Sequence, residues 1–437
     1  MKTLRLFFVF IILFLLNINS NNAQSGIDTI KLMTYNVGNF GTEPTSSCPL
    51  FNFSLKSSYL RTILKYEKPD IIGMAKMNGD QQFCTDTIVN YILDSVCNGC
   101  WHYGNYSQLS TYPKENMLYF NTTKFGFIRS TVIYSGDQNI SDITLHKLYY
   151  KASNLASTHD TVFLSIVLAH LLSGSGSITN RATEVAGAMT WLNAHITGNE
   201  NLIFMGDFNT TASTEGCFQD LINSTNSNTR FYDPPNQLGN WSGNPGNYAL
   251  YLTQSTRTTD PGDCNATGGL NNRFDHILIT SAIKNGTDSI KYIAGSYKVI
   301  GQDGNHTGNA LTDLPVNTSV PANVNTALYN MSEHLPVMLN LRINTTVSTG
   351  INHYNDLQSL VIIAPNPFAS QTTISFSEEQ INTTIKITDV PGKEIIKITH
   401  VQGKQVLIEK GILQTGIYFI QITDSNNNII NKKIIVQ

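Results

Sequence analysis

Short apolar runs, each closed at one end by a polar residue, recur along most of the chain. They lie at 30–37, 71–75, 162–169, 202–206, 274–280 and 335–341. Runs of this length, rich in Ile, Leu, Val and Phe, read as buried strands. The first carries Asn36 next to the loop Gly38-Asn-Phe-Gly41, and the second, Ile71-Ile-Gly-Met-Ala75, stops at Lys76. The third delivers His170, and the fourth breaks into Gly206-Asp-Phe-Asn209. In extended backbone alternate residues share a face, which puts Asp207 and Asn209 on one side and Phe208 on the other. Asp275 leads the fifth run, and Glu333-His334 precedes the sixth. Helical spacing falls between the strands: Leu55, Leu60, Ile63 and Leu64 up to Lys68-Pro-Asp70, Ile88, Ile92 and Val96 within 85–96, and Val185, Ala188, Met189 and Leu192 within 180–195. Several short strands are expected over 101–163, among them 117–120, 125–133 and 145–150, and a long stretch rich in Asn, Gly and Pro covers 223–270. Mixed strands and helices with two long meanders predict an α+β fold, a four-layer sandwich of two packed mixed sheets flanked by helices.

The pattern changes from 344. Residues 344–357 read as a linker, and 358–437 as a small all-β, immunoglobulin-like sandwich with strands at 372–376, 383–388, 394–399, 405–409, 417–423 and 429–436. No cluster in it suggests catalysis. At the other end, residues 1–24 read as a secretory signal peptide. Lys2 and Arg5 precede the apolar run 6–16, and Ala23 suits a cleavage site although Asn21 does not. No later stretch is apolar for long enough to cross a bilayer, so no integral membrane segment is expected after cleavage.

Composition adds a compartment. The 437 residues are 41% apolar but only 14% charged, with a formal charge of −3 and no dominant basic block. That argues against tight, purely electrostatic binding of nucleic acid. It leaves open an enzyme that engages phosphates briefly. Six cysteines, at 48, 84, 97, 100, 217 and 264, suggest disulfides in an exported chain; fifteen pairings are possible. Cys97 and Cys100 could form half a zinc site, but no second Cys/His pair has matching spacing, and a loop disulfide is favoured.

Taken singly, the polar strand ends have ordinary structural readings: Asp207 and Asp275 as turn caps, His170 and His334 as buried imidazoles, Asn36 as a partner for turn amides. Taken in order they form a pattern: Met33-Thr-Tyr-Asn-Val37, Pro69-Asp-Ile-Ile-Gly73, His170-Leu with Ser173, Gly206-Asp-Phe-Asn209, Phe274-Asp-His-Ile-Leu278 and Ser332-Glu-His-Leu-Pro-Val337. In that order and spacing, residues 27–343 resemble the endonuclease/exonuclease/phosphatase superfamily. The resemblance implies a hydrolase of phosphoester bonds that drives water onto phosphorus with the help of a divalent metal, Mg²⁺ or else Mn²⁺ or Ca²⁺. Asp207 would activate the water and Asn209 hold phosphate or nucleophile. His170 and His334 would bind phosphoryl oxygens and move protons, and Asp275 would orient His334. Asn36 and Glu333 would hold the metal, with Asn36 also near the phosphate. The substrate implied is a phosphodiester, DNA or RNA first; a lipid or inositol phosphate, or a binding module without chemistry, are the alternatives.

Two positions depart from the family. Glu333 stands where an Asp is usual before the last His, which keeps the charge and adds one methylene; the other is the more serious. Lys76 stands where a metal-binding Glu is usual, and an ammonium cannot ligate a metal. The metal could be held by other groups (Glu43, Glu115 and Glu333 are the acidic candidates), or Lys76 could itself replace the cation and bind phosphate. Alternatively the site is inactive, or Lys76 is an exposed loop residue outside it. Residues 358–437 in turn resemble the C-terminal sorting domain of type IX secretion cargo, through Ala364-Pro-Asn-Pro-Phe368, Ile387-Thr-Asp-Val-Pro-Gly-Lys393 and Leu413-Gln-Thr-Gly-Ile-Tyr-Phe419. That implies the type IX machinery as partner, and passage through the periplasm to the cell surface or the medium.

Overall fold

The structure is a computed structural model that describes residues 27–42, 44–50, 52–78, 83–105, 109–152, 155, 161–344, 361–424 and 429–437. The expected leader, nearly all of the expected linker and Glu43 lie outside them. The chain divides into two compact units, Met1–Val347 and Ser348–Gln437.

The first unit contains two mixed sheets. The strands that position polar groups are β1 (Ile27–Phe40), β2 (Ile71–Asn78), β7 (Phe163–His170), β8 (Leu202–Asp207), β10 (Asp275–Thr280) and β13 (Val337–Asn344). In one sheet, the strand order is β11 (Ile290–Tyr292), β13, β1, β2, β4 (Lys114–Asn121), β3 (Trp101–Tyr103), with β12 (Lys298–Val299) also on β13; in the other it is β5 (Phe125–Tyr134), β6 (Ile143–Tyr150), β7, β8, β10, β9 (Phe231–Tyr232). β1 runs parallel to β2, and β7 parallel to β8; β13 and β10 pair antiparallel with β1 and β8. The apolar runs are buried on both faces, as strands in a covered sheet must be. One core joins the sheets to each other and to α1 (Phe53–Glu67) and α6 (Ala322–Met331), through residues such as Leu60, Ile63, Met205 and Leu328. A second lies under α3 (Ile178–His195) and α4 (Gly216–Ile222), with Val185, Leu192, Phe204, Phe208, Phe218 and Trp241. The result is helix, sheet, sheet, helix. Where the sheets come closest, Gly73 of β2 leaves room for Met205 and Leu168; a Cβ there would lie 2.5 Å from Met205 Cε.

The segment expected as a helix over 85–96 is α2, Phe83–Ile92, wound with wide π turns and continued by a 3₁₀ turn at Leu93–Ser95. Ile88 and Ile92 are buried, and Val96 packs against the core.

In the second unit, two expected strand pairs are each one long strand. β15 covers Gln371–Thr388 and β16 covers Glu394–Glu409, paired antiparallel with register shifts between Ser375 and Thr383. Polar Ser377-Glu-Glu-Gln380 imitates a turn but is a bend inside the strand. β14 (Val361–Ala364) flanks the first half of β15; β17 (Gly416–Thr423) and β18 (Ile429–Val436) continue from the second half. Ile374, Ile385, Ile420 and Ile434 share one core between the halves, the sandwich-like arrangement expected.

Candidate active site

Three neighbouring strands of one sheet bring three polar groups into line. In register, His170 at the end of β7 faces Asp207 at the end of β8, and Asp207 faces Asp275 at the start of β10. The turn after β8 is fixed by its residues. Gly206 has φ +139°, and a Cβ there would lie 1.8 Å from the Ala169 carbonyl oxygen. Phe208 points into the second core, its ring 5.5 Å from Phe204 and 5.0 Å from His276. Asn209 is left-handed at φ +51° and gives its N–H to Asp207 Oδ1 at 2.9 Å. Its Nδ2 donates to the Leu171 carbonyl at 2.9 Å, so the carboxamide ties the turn to the strand beside it.

The facing sheet supplies the rest. Asn36, paired with Ala75 on β2, gives Nδ2 to Asp207 Oδ2 at 2.7 Å and accepts the Gly38 N–H on Oδ1 at 3.0 Å. His334 holds Asp275 Oδ2 through Nδ1 at 2.7 Å, and its Nε2 lies 3.7 Å from Asp207 Oδ2. His170 Nε2 is also 3.7 Å from that oxygen. Asp207 Oδ2 is therefore met by Asn36, His170 and His334. Among the described residues, two buried atoms at the site have no protein partner, His170 Nδ1 and Asp275 Oδ1. Buried polar atoms of this kind are usually satisfied by water or a ligand.

Burial and neighbours separate the protonation states. Burial pushes the Asp207 carboxyl up; His334, Asn36 and the Asn209 N–H pull it down, and Asp275 adds to the rise. Burial also penalises the His334 cation, but Asp275 and Asp207 outweigh that and raise it to about 9. His170 is driven to about 3 by burial, helped by Lys76 and His334, and is a neutral ring at physiological pH. The site thus pairs a carboxylate that holds protons more readily than usual with a charged imidazole and a neutral one, the separation that acid–base chemistry requires.

Lys76 is inside the site. The pairing of β2 shifts register between Met74 and Met77, and Lys76 sits in that bulge at φ +59°. Glycine takes this conformation freely, whereas a side chain costs about 1–2 kcal/mol. Bulges re-aim side chains, and this one sends Nζ to Glu333 Oε1 at 2.8 Å. The Glu333 side chain is fully buried, while that of Lys76 is 22% exposed. Burial opposes both charges, yet Lys76 with His334 brings Glu333 down to about 2, and Glu333 with Asp207 holds Lys76 above the usual lysine value.

A divalent ion between Asn36 and Glu333 does not fit this arrangement. Glu333 Oε1 is held by the ammonium, Oε2 lies 3.3 Å from Ser332 Oγ, and an ion there would lie against a fixed positive charge. Asp207, Asp275 and His334 also place ligand atoms within 4.8 Å of one another. An ion on those three could take His334 through Nε2 and Asp275 through its unpartnered Oδ1 with the Asp275–His334 hydrogen bond intact, but only with the ring neutral, against the charge that Asp275 and Asp207 favour. Glu115 does not join the cluster; it is buried on β4 (Lys114–Asn121), and burial, then Asp142, raise its carboxyl to about 8.

Three further residues shape the site. Gln254 Nε2 is 2.9 Å from His334 Nε2; an amide can turn either end to the ring, matching whichever protonation state it has. Thr253 Oγ1 accepts the N–H groups of Phe274 and Asp275 at 3.1 and 3.2 Å, which fixes the start of β10. Ser332 Oγ donates to the Asn36 carbonyl at 2.7 Å and accepts the His334 N–H at 3.1 Å, joining β1 to the segment before β13. Gln254 and Thr253 lie in the aperiodic polar stretch, where no local pattern marks them; Ser332 adjoins Glu333. The loop carrying Gln254 is anchored by Asp263, which accepts from Arg257 at 2.7 Å and Lys56 at 3.0 Å, and by a disulfide between Cys48 and Cys264. A second disulfide joins Cys97 to Cys100; Cys217 is buried and has no disulfide partner among the described residues, and the side chain of Cys84 lies outside them.

Among curated proteins, none matches the sequence. Solved structures similar to it include the catalytic domain of human Nocturnin, at 12% identity and TM-score 0.42, covering 73% of this chain and 97% of that one. TDP2 from C. elegans matches at 14% identity and TM-score 0.42, covering 72% and 75%. An endonuclease/exonuclease/phosphatase family protein from Bacteroides thetaiotaomicron matches at 13% identity and TM-score 0.42, covering 73% and 100%. The second unit is matched more directly: the family model for the secretion system C-terminal sorting domain covers residues 362–437. That region is a sorting tail of the type IX kind, which addresses its protein to the cell surface or the extracellular space.

Proposed function

We propose that the first unit is an extracellular hydrolase of phosphodiesters, with nucleic acid as the first substrate class. The observation that carries this reading is the crowding of Asn36, His170 and His334 around one buried carboxylate oxygen, Asp207 Oδ2, with Asp275 behind His334.

In this reading Asp207 takes a proton from water as the water oxygen bonds to phosphorus. Charge builds on the non-bridging oxygens, where the neutral His170 ring donates a hydrogen bond. His334 gives its Nε2 proton to the oxygen that leaves as the P–O bond breaks. Asp275 keeps the ring in place and stabilises its charge. Asn36 orients Asp207, and Asn209 acts by holding the turn.

The test is a panel of DNA, RNA, a phospholipid, an inositol phosphate and a model diester, each with and without chelator. Turnover of at least one, lost in Asp207→Ala, is the expected result. No turnover of any of them sinks the proposal. The Lys76–Glu333 ion pair favours one other reading, a binding module that does no chemistry. Ligand binding unchanged in Asp207→Ala and His334→Ala, with no turnover, would identify that module.

A further inference from the structure

The geometry points to Lys76 as the resident cation of this site: its ammonium, tethered to β2, does the electrostatic work on bound phosphate that a divalent ion would otherwise do. This rests on the phosphodiesterase reading for its substrate, but three structural observations carry the cation itself.

The first is position. Nζ lies 2.8 Å from Glu333 Oε1, in the same polar cluster as Asn36, Asp207 and the two imidazoles. The second is backbone. A left-handed bulge residue would ordinarily be glycine, and here the chain keeps a long cationic side chain there at φ +59°. Strain of this kind persists where the surrounding structure requires it. The third is charge. Three buried carboxylates, Asp207, Asp275 and Glu333, converge on the site and would repel an anionic substrate. Lys76 offsets one of them, and His334 as imidazolium another.

The partial exposure of the Lys76 side chain adds a route for ligand. Glu333 occupies one of three N–H donors and fixes the direction of the stem, and an ammonium can offer the others to an incoming phosphoryl oxygen. A point charge on a flexible stem binds phosphate well. It cannot polarise a water as a metal does, and the deprotonation falls to Asp207.

The experiment uses inorganic phosphate and Mn²⁺ as separate probes, titrated calorimetrically into the purified chain, so that it reads Lys76 even if no substrate is found. Phosphate should bind wild type in the presence of EDTA, weaken at least about tenfold in Lys76→Met, and recover largely in Lys76→Arg. Lys76→Met/Glu333→Gln, which leaves no unpaired buried carboxylate, should show the same loss and so separate it from misfolding. Mn²⁺ should bind Lys76→Glu and not wild type. For any substrate the panel identifies, wild-type turnover should survive EDTA, whereas turnover by Lys76→Glu should depend on added metal. Phosphate binding that needs a divalent ion in wild type, or that is unchanged in Lys76→Met, overturns the inference. So does stoichiometric Mn²⁺ binding to wild type that is lost in Asp207→Asn. A chain that binds phosphate through Lys76 yet turns over nothing would retain the inference and lose only the hydrolase reading.

Discussion

Asp207 and His334 are the two residues whose chemistry the surroundings change most usefully. Burial makes the Asp207 carboxylate a better base, and its contact with Asn36 keeps one oxygen aimed at the cluster. Asp207→Asn keeps the side-chain shape but can accept only one of the two N–H groups, from Asn36 or from Asn209, so it should cost some stability as well as roughly 10²–10⁴-fold in turnover. The pH profile follows from the two shifts. Asp207 works ionised, so activity should fall as pH drops through its raised pKa. His334 works protonated, so activity should fall again as pH rises through about 9. Asp275→Asn should pull the alkaline limb towards neutrality, because it removes the largest of the influences that favour the His334 cation. An alkaline limb that stays in place would assign it to another group. Most of these residues are legible in the sequence, because a polar group at the end of an apolar run is a local signal. Lys76 is visible there as a departure, but its place is not. Nothing in Gly73-Met-Ala-Lys-Met announces a left-handed residue, and only the bulge against β4 reveals that the ammonium turns inward.

At the scale of elements, strands place the site and a loop completes it. The places of these strands along the chain can be read from the apolar runs; which strands lie side by side cannot. Nor can the loop, because Thr253 owes its position to Asp275, 22 residues further on, and Gln254 owes its own to His334, 80 residues further on. α6 has helical spacing at Val324, Ala327, Leu328 and Met331, but it is only ten residues long and lies among polar loops. In the second unit, neutral and acidic residues in mid-strand read as turns, although the chain carries through them as a bend. The anchor of the site loop can be tested directly. Asp263 balances two buried cations, Lys56 and Arg257. Asp263→Asn should lower stability by about 3–5 kcal/mol, as breaking a buried ion cluster by removing one partner generally does. It should also loosen the Gln254 contact to His334. Thermal unfolding and the His334 NMR signal measure the two effects; a change in neither would mean that the loop is held by other contacts.

For the molecule as a whole, the two units divide the tasks. The site lies entirely in the first, and the second carries the address. A chain lacking 358–437 should therefore fold and keep whatever activity the first unit has, but remain within the cell envelope. Export of the shortened chain in normal amount would remove the sorting role. The change from apolar runs with polar ends to short alternating strands makes this division readable in the sequence itself. The long-range links inside the first unit are not readable there, because six cysteines allow many pairings and only the fold selects among them.

The bond between Cys48 and Cys264 encloses His170 and Asp207 but neither Asn36 nor the pair Asp275 and His334. A protease outside the cell that cuts an exposed loop between residues 48 and 264 would leave the two pieces covalently joined. Every component of the site would stay on one particle. Nicked protein should migrate as a single species until reducing agent is added, and it should keep its activity for as long as that bond survives. What began as a staple on a loop would then extend the working life of a protein released beyond the reach of chaperones and resynthesis.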